Sequence, residues 1–129
     1  MNFILLERTY SIYRFRSESD LPGWIYSSEF YSITKTEDEI SLVAVQNGLI
    51  PEGVLCNRDW RILKIEGPLD SSLIGIIAEI TSILAEKNIS VFTISTYETD
   101  YILVKQHDLD RGIEALKEKG HLFEEKANH

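Results

Sequence analysis

The sequence predicts an α+β protein made of two β-α-β-β-α-β units packed together, the first with a truncated helix. Three observations carry that prediction. Blocks that alternate apolar and polar residues, and are rich in aromatic and β-branched side chains, mark strands. A weak internal repeat places two such blocks in each half. Phe30–Val45 (FYSITKTEDEISLVAV) matches Val91–Gln106 (VFTISTYETDYILVKQ) without a gap, and Thr9–Phe15 (TYSIYRF) resembles Asp59–Ile65 (DWRILKI). Finally, one long amphipathic stretch, 70–88, lies between the strand blocks of the second half alone.

In the ungapped match Tyr31 meets Phe92, Ile33 meets Ile94, Glu37 meets Glu98, and Leu42-Val43 meets Leu103-Val104. Between its strands the first half offers only SESDLPGWIYSSE, where Pro22 and Gly23 leave room for one helical turn at best. Asn47–Asp59 (NGLIPEGVLCNRD) carries turn residues. It is expected to be a loop holding Cys56 and dividing residues 1–58 from 59–129. Trp60–Ile65 then opens the second unit as a strand.

The long helix is expected to run from an N-cap at Asp70 to a stop at Asn88. Leu73, Ile77, Ile80 and Leu84 recur at three- and four-residue steps, and Ile74, Ile76 and Ile83 widen that stripe. Isoleucine is a middling helix former, so packing on a sheet has to stabilise this helix. A second helix follows, capped by Asp108, with Leu109, Ile113 and Leu116 facing inward and Gly120 ending it. HLFEE adds a short edge strand. That order, with the helices on one side of the sheet, is the ferredoxin-like plan. Units of about 60 residues are marginal alone, so the halves are expected to share a core.

Composition narrows the function. The 129 residues are 43% hydrophobic and 26% charged, enough apolar material to exclude wholesale disorder. A net charge of -8 repels phosphates and argues against nucleic acid. The single cysteine, Cys56, excludes an internal disulfide framework and any multi-cysteine zinc site. No apolar run approaches the roughly 20 residues of a membrane span. The start, MNFILLERTY, meets Glu7 and Arg8 too early for a signal peptide, so a cytoplasmic protein with no membrane association is expected. His107, His121 and His129 show no metal-ligand spacing, and no Walker loop or GxGxxG occurs. No cofactor, metal or catalytic set is expected.

Trp60–Lys105, with its GPLD turn, its NISVFTISTY segment and its TDYILV strand, resembles the second repeat of the tandem ACT-domain proteins. The first half is similar in kind, with its shortened helix. ACT domains are small ferredoxin-like modules that commonly bind amino acids and control an attached or associated protein. The same branch includes the cytosolic arginine sensors of animal nutrient signalling, the CASTOR proteins, which carry four repeats where this chain carries two. The resemblance implies a homodimer where four repeats are needed, a free amino acid as ligand at a repeat or subunit interface, and a regulated partner protein.

An amino acid needs N–H groups or a cation for its carboxylate and oxygen acceptors for its ammonium. Gly67, Pro68, Leu69 and Asp70 form the turn into the expected helix N-terminus, a source of unpaired N–H groups. Asp70 or Asp100 would hold the ammonium, and Thr93, Ser95 and Thr96 would offer hydroxyls. Each has a plainer role too: Asp70 as a cap, Gly67-Pro68 as a tight turn, Glu98-Thr99-Asp100 as a hairpin connection. Gly75, Ala78, Ser82 and Ala85 line up as small residues on the long helix, either as a solvated face or as a partner contact. Pairing of subunits through the strand Trp60–Ile65 is the other expectation. A protein–protein interaction subunit without a small ligand is the alternative function.

Overall fold

The computed structural model describes residues 1–47, 49–66 and 74–125, without the side chain of Glu125. Its contacts form two compact units, one of Arg8–Asp59 and one of Met1–Glu7 with Trp60–His129. The division between residues 58 and 59 expected from the sequence differs at the N-terminus, because residues 1–7 join the second unit. The cause is β1 (Asn2–Leu5), a strand with no counterpart in the sequence reading. It pairs antiparallel with β5 (Leu55–Ile65) and parallel with β8 (Leu122–Glu125), through Phe3↔Ile65 and Phe3↔Phe123.

The first unit holds β2 (Tyr10–Phe15), β3 (Ser32–Lys35) and β4 (Ile40–Val45) in the order β3-β4-β2, all antiparallel. Two short 3-10 turns, Glu18–Asp20 and Gly23–Ser27, stand where a helix would lie, as Pro22 and Gly23 foretell. They drive Ile25 into a core of Tyr13, Phe15, Ile40, Leu42 and Ala44. β5 starts at Leu55, so part of the expected boundary loop is strand, and Cys56 is an exposed strand residue.

In the second unit β6 (Val91–Ser95) and β7 (Asp100–Lys105) complete a sheet of order β6-β7-β5-β1-β8. Its core brings Phe3, Leu63, Ile65, Ile102 and Val104 from one face of the sheet against two helices. This is the ferredoxin-like α+β architecture. β5 is paired on both sides, by β7 and β1, which corrects the expectation that Trp60–Ile65 is available to another subunit. The outer strands are β6 and β8.

Helix α1 runs over Ile76–Glu86 with Gly75 at its N-cap, five residues later than the expected cap. Gly75 precedes it at φ 81, a left-handed conformation open to glycine, and its carbonyl accepts the first helical bond from Glu79 at 2.9 Å. Ile74 is thereby thrown out of the stripe and is 93% exposed, while Ile80, Ile83 and Leu84 are buried. The cap position given to Asp70, and Leu73, lie outside the described residues. Both helix ends follow the sequence. Asn88 takes φ 59 and Gly120 φ 92, and each opens a pair of closing bonds. These are Asn88 N–H to Ala85 and Ile89 N–H to Leu84 at the first end. At the second, Gly120 N–H reaches Lys117 and His121 N–H reaches Leu116. α2 (Leu109–Glu118) has Asp108 at its N-cap, but that side chain bonds Arg111 at 2.6 Å and not the helix backbone. The other arm of Arg111 donates to the Lys87 carbonyl at 2.9 Å, a cation at the C-terminal end of α1.

The hairpins correct the repeat. Lys35 pairs with Ile40 and Ser95 with Asp100, so equivalent positions lie 60 residues apart, one less than in the ungapped match. Side chains alternate sides along a strand, so a one-residue slip exchanges the two faces. Thr36 and Thr96 are the true equivalents, each heading a four-residue turn closed by its own N–H, at 2.9 and 2.8 Å.

Phe3 is fully buried and stacks on Phe123 with ring centroids 4.9 Å apart. Phe3→Ala is expected to cost about 3–5 kcal/mol of unfolding free energy in denaturant melts. Gly112 on α2 would place a Cβ 3.4 Å from Leu84 Cδ2, at the end of a flexible side chain. Gly112→Ala is therefore expected to stabilise by about 0.5–1 kcal/mol, whereas Gly120→Ala, at φ 92, is expected to destabilise by about 1 kcal/mol.

Candidate functional site

Four of the expected ligand residues, Gly67, Pro68, Leu69 and Asp70, lie outside the described residues. The other four gather at the end of the β6–β7 hairpin. Thr93 stands opposite Ile102 and Ser95 opposite Asp100, so both share the face that β7 turns toward the helices. They are nonetheless exposed, because β6 is the outermost strand. Ser95 Oγ donates to Asp100 Oδ1 at 2.5 Å, which fixes the half-buried carboxylate against the hairpin.

Thr96 has the plainer of its two roles. Its hydroxyl donates to the Thr99 carbonyl at 3.2 Å and accepts from the Thr99 N–H at 3.4 Å, so it shapes the turn. The residue that sequence reasoning passed over is Thr99. Treated as part of a connection, it is 5% exposed, and its hydroxyl donates to the Ile65 carbonyl at 2.6 Å. That bond sews the turn to the last residue of β5, directly before Glu66 and the GPLD segment. Ser95, Asp100 and the exit of β5 therefore occupy one end of the sheet, and the connection from β5 to α1 starts there. A pattern of alternating residues carries no signal for such a bond, which joins positions 34 apart.

A second feature has no sequence signal either. A cavity of about 630 Å³ is lined by residues that include Asn2, Phe3, Glu66, Lys117, His121 and Glu124. His121, expected as a simple strand-start residue, is 5% exposed and packs edge-on against Phe3. Its Nδ1 lies 3.1 Å from the Met1 nitrogen, and its Nε2 lies 3.6 Å from Glu79 Oε1. His107 is a surface residue beside Asp108. Among the described residues no group of three or more His, Cys, Asp and Glu is placed to hold a metal ion. No helix among them is long and apolar enough to cross a membrane. The small residues Ala78, Ser82 and Ala85 are exposed on α1.

Comparison with known proteins bears on this geometry. A family model described as an ACT domain matches residues 55–118, and a model of an N-terminal domain matches residues 8–52. The cytosolic arginine sensor for mTORC1 subunit 1 of Bos taurus is 29% identical over 107 residues, 75% of this chain and 32% of that protein. Its Homo sapiens counterpart is 28% identical over the same shares. The chain thus spans about a third of the length of these sensors. Among solved structures, the Agobacterium tumefaciens protein Atu0741 is 30% identical with a TM-score of 0.87, over 99% of this chain and 95% of that one. E. coli aspartokinase III in complex with aspartate and ADP shares the fold. It is 13% identical with a TM-score of 0.64, over 92% of this chain and 33% of that one.

Two measurements check the local chemistry. Thr99→Val removes the hydroxyl from beside a buried carbonyl at nearly constant volume and is expected to cost about 1–3 kcal/mol, with Thr99→Ser close to wild type in the same melts. Burial holds the His121 imidazole below its ordinary value; the Met1 ammonium adds to this, and Glu79 opposes it. Folding then disfavours the protonated ring, so the unfolded chain binds more protons. Stability is expected to decline as pH falls through about 6.5, and His121→Gln to flatten that slope.

Proposed function

The chain belongs to the ACT-domain family, and on that premise we propose that it is a non-enzymatic regulatory module for a free amino acid. The observation that carries this reading is the Ser95–Asp100 pair, a carboxylate oriented by a hydroxyl at an exposed end of the sheet. One oxygen of Asp100 accepts from Ser95; the other meets the ligand ammonium. Thr93, two residues along on the same face, adds a hydroxyl. The backbone N–H groups of Gly67, Leu69 and Asp70, next after Glu66 in the sequence, are the proposed donors to the ligand carboxylate. Because β6 is the outermost strand, a second copy of the chain completes the site at a subunit interface, in a cytoplasmic homodimer. Ligand binding favours the assembly that holds it, and a regulated partner protein reads that assembly. The arginine sensors named above support an amino acid as the ligand class.

A second reading, an interaction subunit without a small ligand, draws on the exposed Tyr26, Tyr31, Ile33 and Leu49 of the first unit. It is separated from the first by the ligand response itself.

Thermal unfolding in the presence of each of the twenty amino acids tests the proposal. A ligand at 100 times its Kd is expected to stabilise by about 2.7 kcal/mol, and Asp100→Asn to abolish the response without lowering the unliganded midpoint by more than a few degrees. Light scattering is expected to show more dimer with the effective ligand. No response to any amino acid at millimolar concentration would overturn the reading and favour a partner-docking subunit.

A further inference from the structure

We propose that the free edge of β3, with the aromatic shelf beside it, docks an extended segment of a partner protein. That segment alternates aliphatic residues along one face and carries lysine or arginine at its ends. This deepens the partner-protein part of the function proposed above and does not rest on the amino-acid ligand, so the two fail in separate experiments. The edge follows from the strand register. Thr36 N–H bonds the Glu39 carbonyl at 2.9 Å, and Thr34 stands opposite Ser41. Bonded and unbonded positions alternate in an antiparallel pair, so Thr36, Thr34 and Ser32 bond toward β4. Ile33 and Lys35 therefore turn their N–H and C=O groups outward. β3 ends the sheet, and no strand among the described residues pairs with that side.

Beside this edge the truncated helix leaves the sheet uncovered. The 3-10 turn Gly23–Ser27 sends Ile25 into the core with Leu42, which is fully buried. Ile33, opposite Leu42 on β3, stays 38% exposed. Tyr31, two residues earlier and on the same face, is exposed as well. Tyr26, from that 3-10 turn, meets Tyr31 edge-on with ring centroids 5.7 Å apart. Charges and a short strand suffice to guard an edge against aggregation. Two exposed tyrosines and an isoleucine next to outward-facing backbone groups are instead the surface that strand addition uses. The main chain supplies the bonds, and alternate side chains of the incoming strand lie on the shelf.

Charge selects the occupant. Glu37, Asp38 and Glu39 are all exposed in the turn that ends β3. Of the neighbouring bases, Lys35 is engaged by Glu18, and Arg14 donates to the Asp38 carbonyl at 3.4 Å. A second copy of the chain fits poorly. Antiparallel self-pairing about Thr34 would lay the acidic turn of each copy against Tyr31 of the other, carboxylates over the negative face of a ring. A strand that ends in lysine or arginine meets the same carboxylates with opposite charge.

Fluorescence anisotropy with the end-blocked peptide KKVTVTVKK tests this, beside EEVTVTVEE and a form of the first methylated on its valine nitrogens. The basic peptide is expected to bind and to slow amide hydrogen exchange at Ile33 and Lys35, whose N–H groups gain partners. Methylation removes backbone donors at unchanged charge and is expected to weaken binding by about tenfold or more, as is Tyr31→Ser with Ile33→Thr in the protein. The response of the melting midpoint to amino acids is expected to be the same in that double variant as in the wild type. No binding at millimolar basic peptide, equal binding of the acidic or the methylated peptide, or binding without protection at Ile33 and Lys35 would overturn the proposal.

Discussion

The second unit depends on hydrogen bonding along both edges of a four-residue strand at the start of the chain. β1 bonds β5 on one side and β8 on the other, so the sheet has no continuous path from β5 to β8 without it. Phe3, at its centre, fills the core beneath the helices and stacks on Phe123. The pairs it makes reach residues 63–65 and 122–125. Loop closure over such separations has an entropic cost that only the finished sheet and its buried face offset, which ties β5, β8 and both helices into one cooperative unit.

The same economy of contacts positions the candidate site. A hairpin on an outer strand has few neighbours and would fray. Here a buried hydroxyl, Thr99 Oγ1, joins its turn to the carbonyl at the end of β5. The carboxylate of Asp100 is then held at a fixed place relative to the connection that follows β5, which is the arrangement a small zwitterion needs. ACT domains as a family are small scaffolds, and in this one the support around the candidate site is made of single hydrogen bonds instead of bulk packing.

Much of the fold was legible because it rests on local chemistry. Asn88 and Gly120 ended their helices as expected, since a left-handed residue after a helix is a local requirement. The alternation of DWRILKI and TDYILV marked buried strands because one face of each meets a core. The misreadings came from competition between local signals. Leu73-Ile74 extended the apolar periodicity of α1, but left-handed Gly75 set the start of the helix at Ile76. The internal repeat was aligned by apolar identity, whereas the strands are registered by the threonine that heads each turn. β1 was missed because four residues, NFIL, carry no periodicity that separates them from a charged lead-in. At the site, Thr93, Ser95 and Asp100 were visible as residue types in a strand pair. Their partnership, the Thr99 tether, and the Glu66, Glu124 and His121 cavity depend on strand order, which the sequence does not write down.

Since β1 and β5 are antiparallel neighbours, with Leu5 opposite Leu63, the stretch between them is topologically a hairpin loop that has grown into a folded unit of its own. Arg8–Asp59 is in that sense an insert, anchored to the host sheet by covalent bonds at both ends. Anchorage at two points removes far more freedom than a single linker does. It also means that excising the insert and rejoining the chain would leave the host with the Trp60–Ile65 part of β5, its other strands and both helices.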